Sequence, residues 1–127
     1  MKELFAYFFT TTVTISVPFL NGEQLNRQLE KNNVVTVVEF WADWNKSNEV
    51  KELSDLKRCE YVRVDIGKEP MVQVKYNVKV VPTIIIYDKG KEKKRFEGNL
   101  MFQMCPESFS IRKVQKNIDK LLYSKFE

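Results

Sequence analysis

Trp41-Ala42-Asp43-Trp44-Asn45-Lys46-Ser47-Asn48 is the stretch on which the fold turns. Upstream, residues 34–40 are nearly all apolar and β-branched, the pattern of a strand covered by helices on both faces. Downstream, Val50, Leu53 and Leu56 form an apolar stripe flanked by Glu49, Lys51, Glu52, Asp55 and Lys57. That stripe predicts a helix beginning around Asn45 to Ser47. The octapeptide therefore reads as a strand-to-helix turn. Further along it is answered by Val80-Val81-Pro82-Thr83, which opens a second apolar run.

The other elements alternate in the same way. Residues 12–17 alternate polar with apolar, are mostly β-branched, and predict a first strand. Asn21 and Gln24 have the spacing of a capping box, and Leu20 and Leu25 that of a hydrophobic staple. The helix they announce should bury Leu25 and Leu29 and end near Asn32 and Asn33. Residues 61–66 alternate cleanly and predict another strand. Pro70 suits the first turn of a short helix through Tyr76, with Asn77 as its C-cap. Residues 83–87 and 93–97 read as strands joined by the turn Asp88-Lys89-Gly90, and Gly98 closes the second. Ser108 or Ser110 should start a last helix with Ile111, Val114, Ile118, Leu121 and Leu122 inward. Alternating elements imply an α/β layer architecture.

The chain has 127 residues, which by length is one domain, 1–127. Its core should span about 12–123, with 1–11 as an apolar N-terminal segment. A chain of this size buries roughly two-thirds of its unfolded surface, so it needs neither disulfide nor metal to fold. The formal charge is +4, with basic clusters at Lys91, Lys93, Lys94 and Arg95 and at Arg112, Lys113 and Lys116. These read as solvated surface; nucleic-acid binding wants a denser basic stripe interleaved with aromatics. There is no histidine, which removes the commonest general base and metal ligand. Cys59 and Cys105 match no metal spacing. No metal and no cofactor are expected. Two scattered thiols suit a reducing compartment, so a cytoplasmic location is expected. The competing reading is export, with residues 1–16 as a signal peptide. Glu3, the hydroxyl residues Thr10, Thr11, Thr12, Thr14 and Ser16, and the lack of a small-x-small cleavage site weigh against it. Pro18 interrupts the same run, which falls short of a membrane span.

Trp41-Ala42-Asp43-Trp44, followed much later by Val81-Pro82-Thr83, resembles the thioredoxin family. That family's active site reads Trp-Ala-x-Trp-Cys-x-x-Cys, and its later loop carries a cis proline before threonine. The resemblance covers about residues 12–123. It implies a thioredoxin-like α/β fold, a central mixed sheet of about five strands flanked by about four helices. Both cysteine positions hold asparagine, Asn45 and Asn48. In the family a thiolate at a helix N-terminus attacks a disulfide and a second thiol resolves the intermediate. An asparagine amide is neither nucleophile nor electron carrier. Asn45 is expected to cap the helix instead, with Asn48 as a polar first-turn residue.

The resemblance carries three further positions. Glu39 stands where the family has a buried aspartate, and Arg63 where it has a lysine. A buried carboxylate has to be paired, so a Glu39–Arg63 ion pair is expected, with a repurposed proton relay as the alternative. Val81–Pro82 is implied to be cis. With Trp44, Asn45 and Gly98 it implies a peptide-binding groove: an apolar plate, an exposed backbone edge and a glycine allowing close approach. Such a groove binds a peptide by adding a strand. One departure matters: the distance from Asn48 to Arg63 is short of the family norm by roughly two helical turns, so the second helix should be truncated.

The function implied is a redox-inactive domain, adaptor-like or chaperone-like, that binds a protein or peptide. The alternative is an atypical thiol–disulfide oxidoreductase using Cys105 or Cys59. Cys59 should fall at the end of a helix, where the dipole gives a thiolate no help. Cys105, before Pro106, should lie near the start of the last helix, a better electrostatic position. A third reading is architectural, with the cationic C-terminal region as an interaction face.

Overall fold

The computed structural model of the chain describes residues 16–31 and 33–124. The expected first strand, 12–17, and the apolar segment 1–11 lie wholly or mostly outside the described residues. The residues that follow, 18–20, meet the sheet at a single parallel bridge between Phe19 and Arg63. There Arg63 N donates to Pro18 O at 2.8 Å and Leu20 N donates to Arg63 O at 2.9 Å.

The sheet contains β1 (Val35–Trp41), β2 (Glu60–Asp65), β3 (Thr83–Asp88) and β4 (Lys91–Glu97), in the spatial order β2-β1-β3-β4. β1 and β2 are parallel; β1 with β3 and β3 with β4 are antiparallel. The inner strands β1 and β3 are buried almost throughout, which is why their sequences are near-continuous apolar runs. Alternate residues of β1 feed two cores. Val38 and Phe40 pack with Leu25, Leu29, Val64 and Val72 on one face. Val35 and Val37 pack with Val50, Leu53, Val114 and Ile118 on the other.

Three α-helices flank the sheet among the described residues: α1 (Gly22–Leu29), α2 (Pro70–Lys75) and α3 (Ile111–Ser124). The capping box at α1 is formed, with Gln24 N donating to Asn21 Oδ1 at 2.8 Å and Asn21 N donating to Gln24 Oε1 at 2.9 Å. α1 stops at Leu29, short of the expected Asn32. Pro70 opens α2, and Asn77, with φ 55°, ends it one residue past the cap. Val78 N reaches Gln73 O at 2.9 Å and Asn77 N reaches Val74 O at 3.2 Å, a Schellman closure. The β3–β4 turn has positive φ at both Lys89 and Gly90, the twist that a two-residue hairpin requires. A side chain at Gly90 would also strike the Leu29 carbonyl oxygen, 2.8 Å from its Cβ. Ser110 Oγ accepts from Lys113 N at 3.2 Å at the start of α3.

One expectation is corrected here. The segment after the tryptophan motif is not an α-helix but two short 3₁₀ turns, Asp43–Asn48 and Leu53–Asp55. Val50, Leu53 and Leu56 are buried as the stripe required, but they recur strictly every third residue. That spacing suits a 3₁₀ repeat, and only 11 residues, 49–59, separate the first turn from β2. The cationic residues Lys91, Lys93 and Lys94 lie exposed on β4, an edge strand of the sheet among the described residues. Lysines at an edge discourage pairing with another chain.

Candidate functional site

β1 ends at Trp41 and delivers the chain directly into the first 3₁₀ turn. Asn45 sits inside that turn with φ −116° and ψ 17°, and its side chain is buried. It does not cap a helix, contrary to expectation; Ala42 holds the cap position and no side chain bonds there. The Asn45 amide turns inward instead. Its Nδ2 donates to Phe102 O at 3.1 Å and to Val81 O at 3.4 Å. Its Oδ1 accepts from Asn48 Nδ2 at 2.8 Å. Asn45 and Asn48 thus bond each other and tie three loops together.

The Val81–Pro82 peptide bond is cis. Gly98 N donates to Pro82 O at 2.9 Å, and a Cβ at Gly98 would lie 3.1 Å from that oxygen and 3.2 Å from Pro82 Cδ. The glycine therefore permits close approach of the chain's own loop. Residues 99–103 then fold over the same place. Asn99 Oδ1 accepts from Met101 N at 2.8 Å and from Gln103 N at 3.2 Å, and Phe102 takes a φ of 59°. The Phe102 ring meets Trp44 edge-on, with centroids 4.9 Å apart.

Trp44, Asn45, Val81, Pro82 and Gly98 are thus brought together. The backbone edge at Val81 is not open, however: Val81 and Pro82 are buried, and the Val81 carbonyl accepts from Asn45. Trp44 remains 67% exposed. Phe102 belongs to this site and was not singled out in the sequence. The signal available was its company, since Leu100, Met101 and Phe102 are unusually apolar for a loop between strand and helix.

Beneath the turn lies the charged pair. Glu39 is 0% exposed, and its Oε1 accepts from Arg63 Nε and Nη2, both at 2.9 Å. Its Oε2 accepts from Val50 N at 3.0 Å, and Arg63 Nη2 donates to Val50 O at 3.0 Å. Glu49 extends the network, with Oε2 3.7 Å from Arg63 Nη1 and Oε1 accepting from Trp41 Nε1 at 2.9 Å. Among the described residues no buried side-chain polar atom is left without a partner. Both Glu39 oxygens are engaged away from Asn45 and Asn48, so the geometry is that of a structural pair.

Burial pushes the Glu39 carboxyl from 4.5 up to about 6, although the Arg63 charge and the Val50 amide pull the other way. The folded chain therefore holds this proton to higher pH than the unfolded chain does. The resulting contribution favours folding below pH 4.5 and is lost as pH rises through 6. A shift of this size is worth about 2 kcal/mol. Urea unfolding of wild type and Glu39→Gln across that range should show this fall with rising pH in the wild type and its absence in the variant.

Neither cysteine lies at the start of a helix. Both are free and half-buried. The Cys59 thiol is pushed up to about 11, first by burial and then by the Asp119 and Glu60 carboxylates. The helix expected to precede it is the 3₁₀ turn Leu53–Asp55. Cys105 does not lie near the first turn of α3, which begins at Ile111; its carbonyl accepts from Ser108 N and Phe109 N in a turn of its own. Its Sγ lies 3.9 Å from Asn99 Nδ2. Among the described residues no helix is long and apolar enough to cross a membrane.

The family model described as Thioredoxin matches residues 16–105. Thioredoxin of Mycoplasma pneumoniae is 27% identical over 82 residues, which are 60% of this chain and 79% of that protein. Thioredoxin of Mycoplasma genitalium is 32% identical over 74 residues, 54% of this chain and 71% of that protein. The crystal structure of Schistosoma mansoni thioredoxin superposes with a TM-score of 0.60 at 28% identity, covering 84% of this chain and 93% of that one. The matched span holds the asparagine turn, the strands around it and the cis-proline loop, and the chain belongs to the thioredoxin family.

Proposed function

We propose that this chain is a redox-inactive member of its family that binds a protein or peptide partner, as an adaptor or a chaperone-like module. The observation that carries the reading is the Asn45 amide. It stands at the position of the family's attacking sulfur and is hydrogen-bonded to Val81 O and Phe102 O. Disulfide exchange needs one thiolate to attack and a second thiol to resolve, and two amides supply neither. What remains around them is an exposed aromatic plate, Trp44, braced by Phe102. A large rigid aromatic of this kind anchors interfaces well. Asn45, Val81, Pro82 and Gly98 hold the shelf beneath it, and an extended peptide that paired with Val81 would displace residues 99–103. On this reading the whole chain, 1–127, works as one unit in the cytoplasm, where two free thiols persist.

Affinity capture from the protein's own cell, with wild type and Trp44→Ala as baits, tests the docking role. A hot-spot tryptophan contributes about 2 kcal/mol or more, so the variant's affinity should fall about thirtyfold or further. Capture that is indifferent to Trp44→Ala would shift the interface elsewhere, to the cationic face of α3.

A further inference from the structure

A second feature of the tryptophan motif lies away from the shelf. Phe19, Trp41 and Trp44 line one open cavity of about 900 Å³, where the start of α1, the end of β1 and the loop after β2 converge. No residue of the cis-proline loop or of 99–103 lines it. The Phe19 and Trp41 rings meet edge-on at 4.9 Å and form its apolar wall. Its charges are uneven. Asp43, Asp65 and Glu69 face it against one cation, Lys68, on a chain whose formal charge is +4. Glu69 Oε1 accepts from Gly22 N at 2.5 Å and Asp65 Oδ1 from Gly67 N at 2.9 Å. Those bonds fix the two carboxylates and leave each a second oxygen. Asp43 has no side-chain partner among the described residues.

We propose that this cavity is a subsite for an arginine side chain of a partner polypeptide. Aromatic walls and carboxylates select together what neither selects alone. A purely apolar group would desolvate three carboxylates without return, and an anion would be repelled. A guanidinium stacks on an indole face, forks its N–H groups onto carboxylate oxygens and lays its methylene stem on apolar wall. Lysine offers a point charge without the planar fork. The chain already makes such a contact internally, with the Arg63 guanidinium 5.8 Å from the Phe19 ring centroid. The inference adds a partner chemistry to the docking role and shares only Trp44 with the shelf.

Trp41 and Trp44 are the chain's two tryptophans, and both line this cavity. Their indole N–H signals in an NMR titration of the ¹⁵N-labelled full chain therefore read it directly. The probes are the blocked pentapeptide Gly-Gly-Arg-Gly-Gly and its counterparts with glutamine or glutamate at the centre. The arginine peptide should shift both signals saturably, and raising the salt should weaken it. The glutamine peptide should bind about tenfold more weakly, the factor that about 1.4 kcal/mol of ionic and cation–π attraction gives, and the glutamate peptide not at all. Asp43→Asn with Asp65→Asn keeps the Gly67 acceptor yet should reduce arginine binding by about the same factor and leave glutamine binding unchanged. Equal responses to arginine and glutamine, or no response to arginine, would overturn the proposal. So would indole shifts on concentrating the protein alone, which would make a second copy the occupant. An arginine response that persists while Trp44→Ala leaves partner capture intact supports the subsite and sinks the docking role separately.

Discussion

Arg63→Met should destabilise the fold by about 3–5 kcal/mol, because it leaves the Glu39 carboxylate buried without its charge partner. Four polar contacts go with the guanidinium: two to Glu39 Oε1, one to Val50 O and one to Glu49. The loss should appear as a lower urea midpoint with an unchanged slope. The double variant Glu39→Met with Arg63→Met should recover most of it, since apolar side chains of similar volume often replace a buried ion pair at little cost. A single variant within about 1 kcal/mol of wild type would mean that solvent reaches the pair, as exposed pairs contribute no more than that. The consequence for function is indirect. The pair fixes Val50, and through Glu49 and Trp41 it holds the linker on which the tryptophan motif is mounted.

Asn45→Ala carries the second large effect. It removes the donor shared by Val81 O and Phe102 O and strips Asn48 of its acceptor. Buried groups left unsatisfied cost about 1–3 kcal/mol, and much of that should appear locally. Amide exchange in residues 99–103 should quicken, and Trp44 fluorescence should change as Phe102 leaves its ring. Asn45→Asp keeps the shape but turns the donor into a third acceptor against two carbonyls, so it should be at least as damaging. Unchanged exchange in that loop would mean that Gly98 and Asn99 hold it without the asparagine.

Much of this was legible beforehand, for physical reasons that are local. The α1 cap is written in Asn21 and Gln24, the hairpin in Lys89-Gly90, and the inner strands in unbroken β-branched runs. The Glu39–Arg63 pair was legible through the resemblance and the cost of burying a lone carboxylate, and the parallel register of β1 and β2 sets the two residues side by side. The segment between the tryptophan motif and β2 was harder. A stripe at 50, 53 and 56 serves an α-helix or 3₁₀ turns equally in outline, and the short span to β2 decides between them. The role of Asn45 then changed with it, from helix cap to loop clasp. Phe102 and the aromatic cavity were invisible for another reason. Their neighbours come from segments far apart in the chain, and nothing in the local pattern of residues 99–103 or of Phe19 announces them.

Reduction of insulin disulfides by the purified wild-type chain, with Cys59→Ser and Cys105→Ser in parallel, bears most directly on whether sulfur chemistry survives here. Loss of both motif thiols implies no turnover above the chemical reductant for any of the three proteins. Wild-type turnover that vanishes with either serine substitution would contradict it.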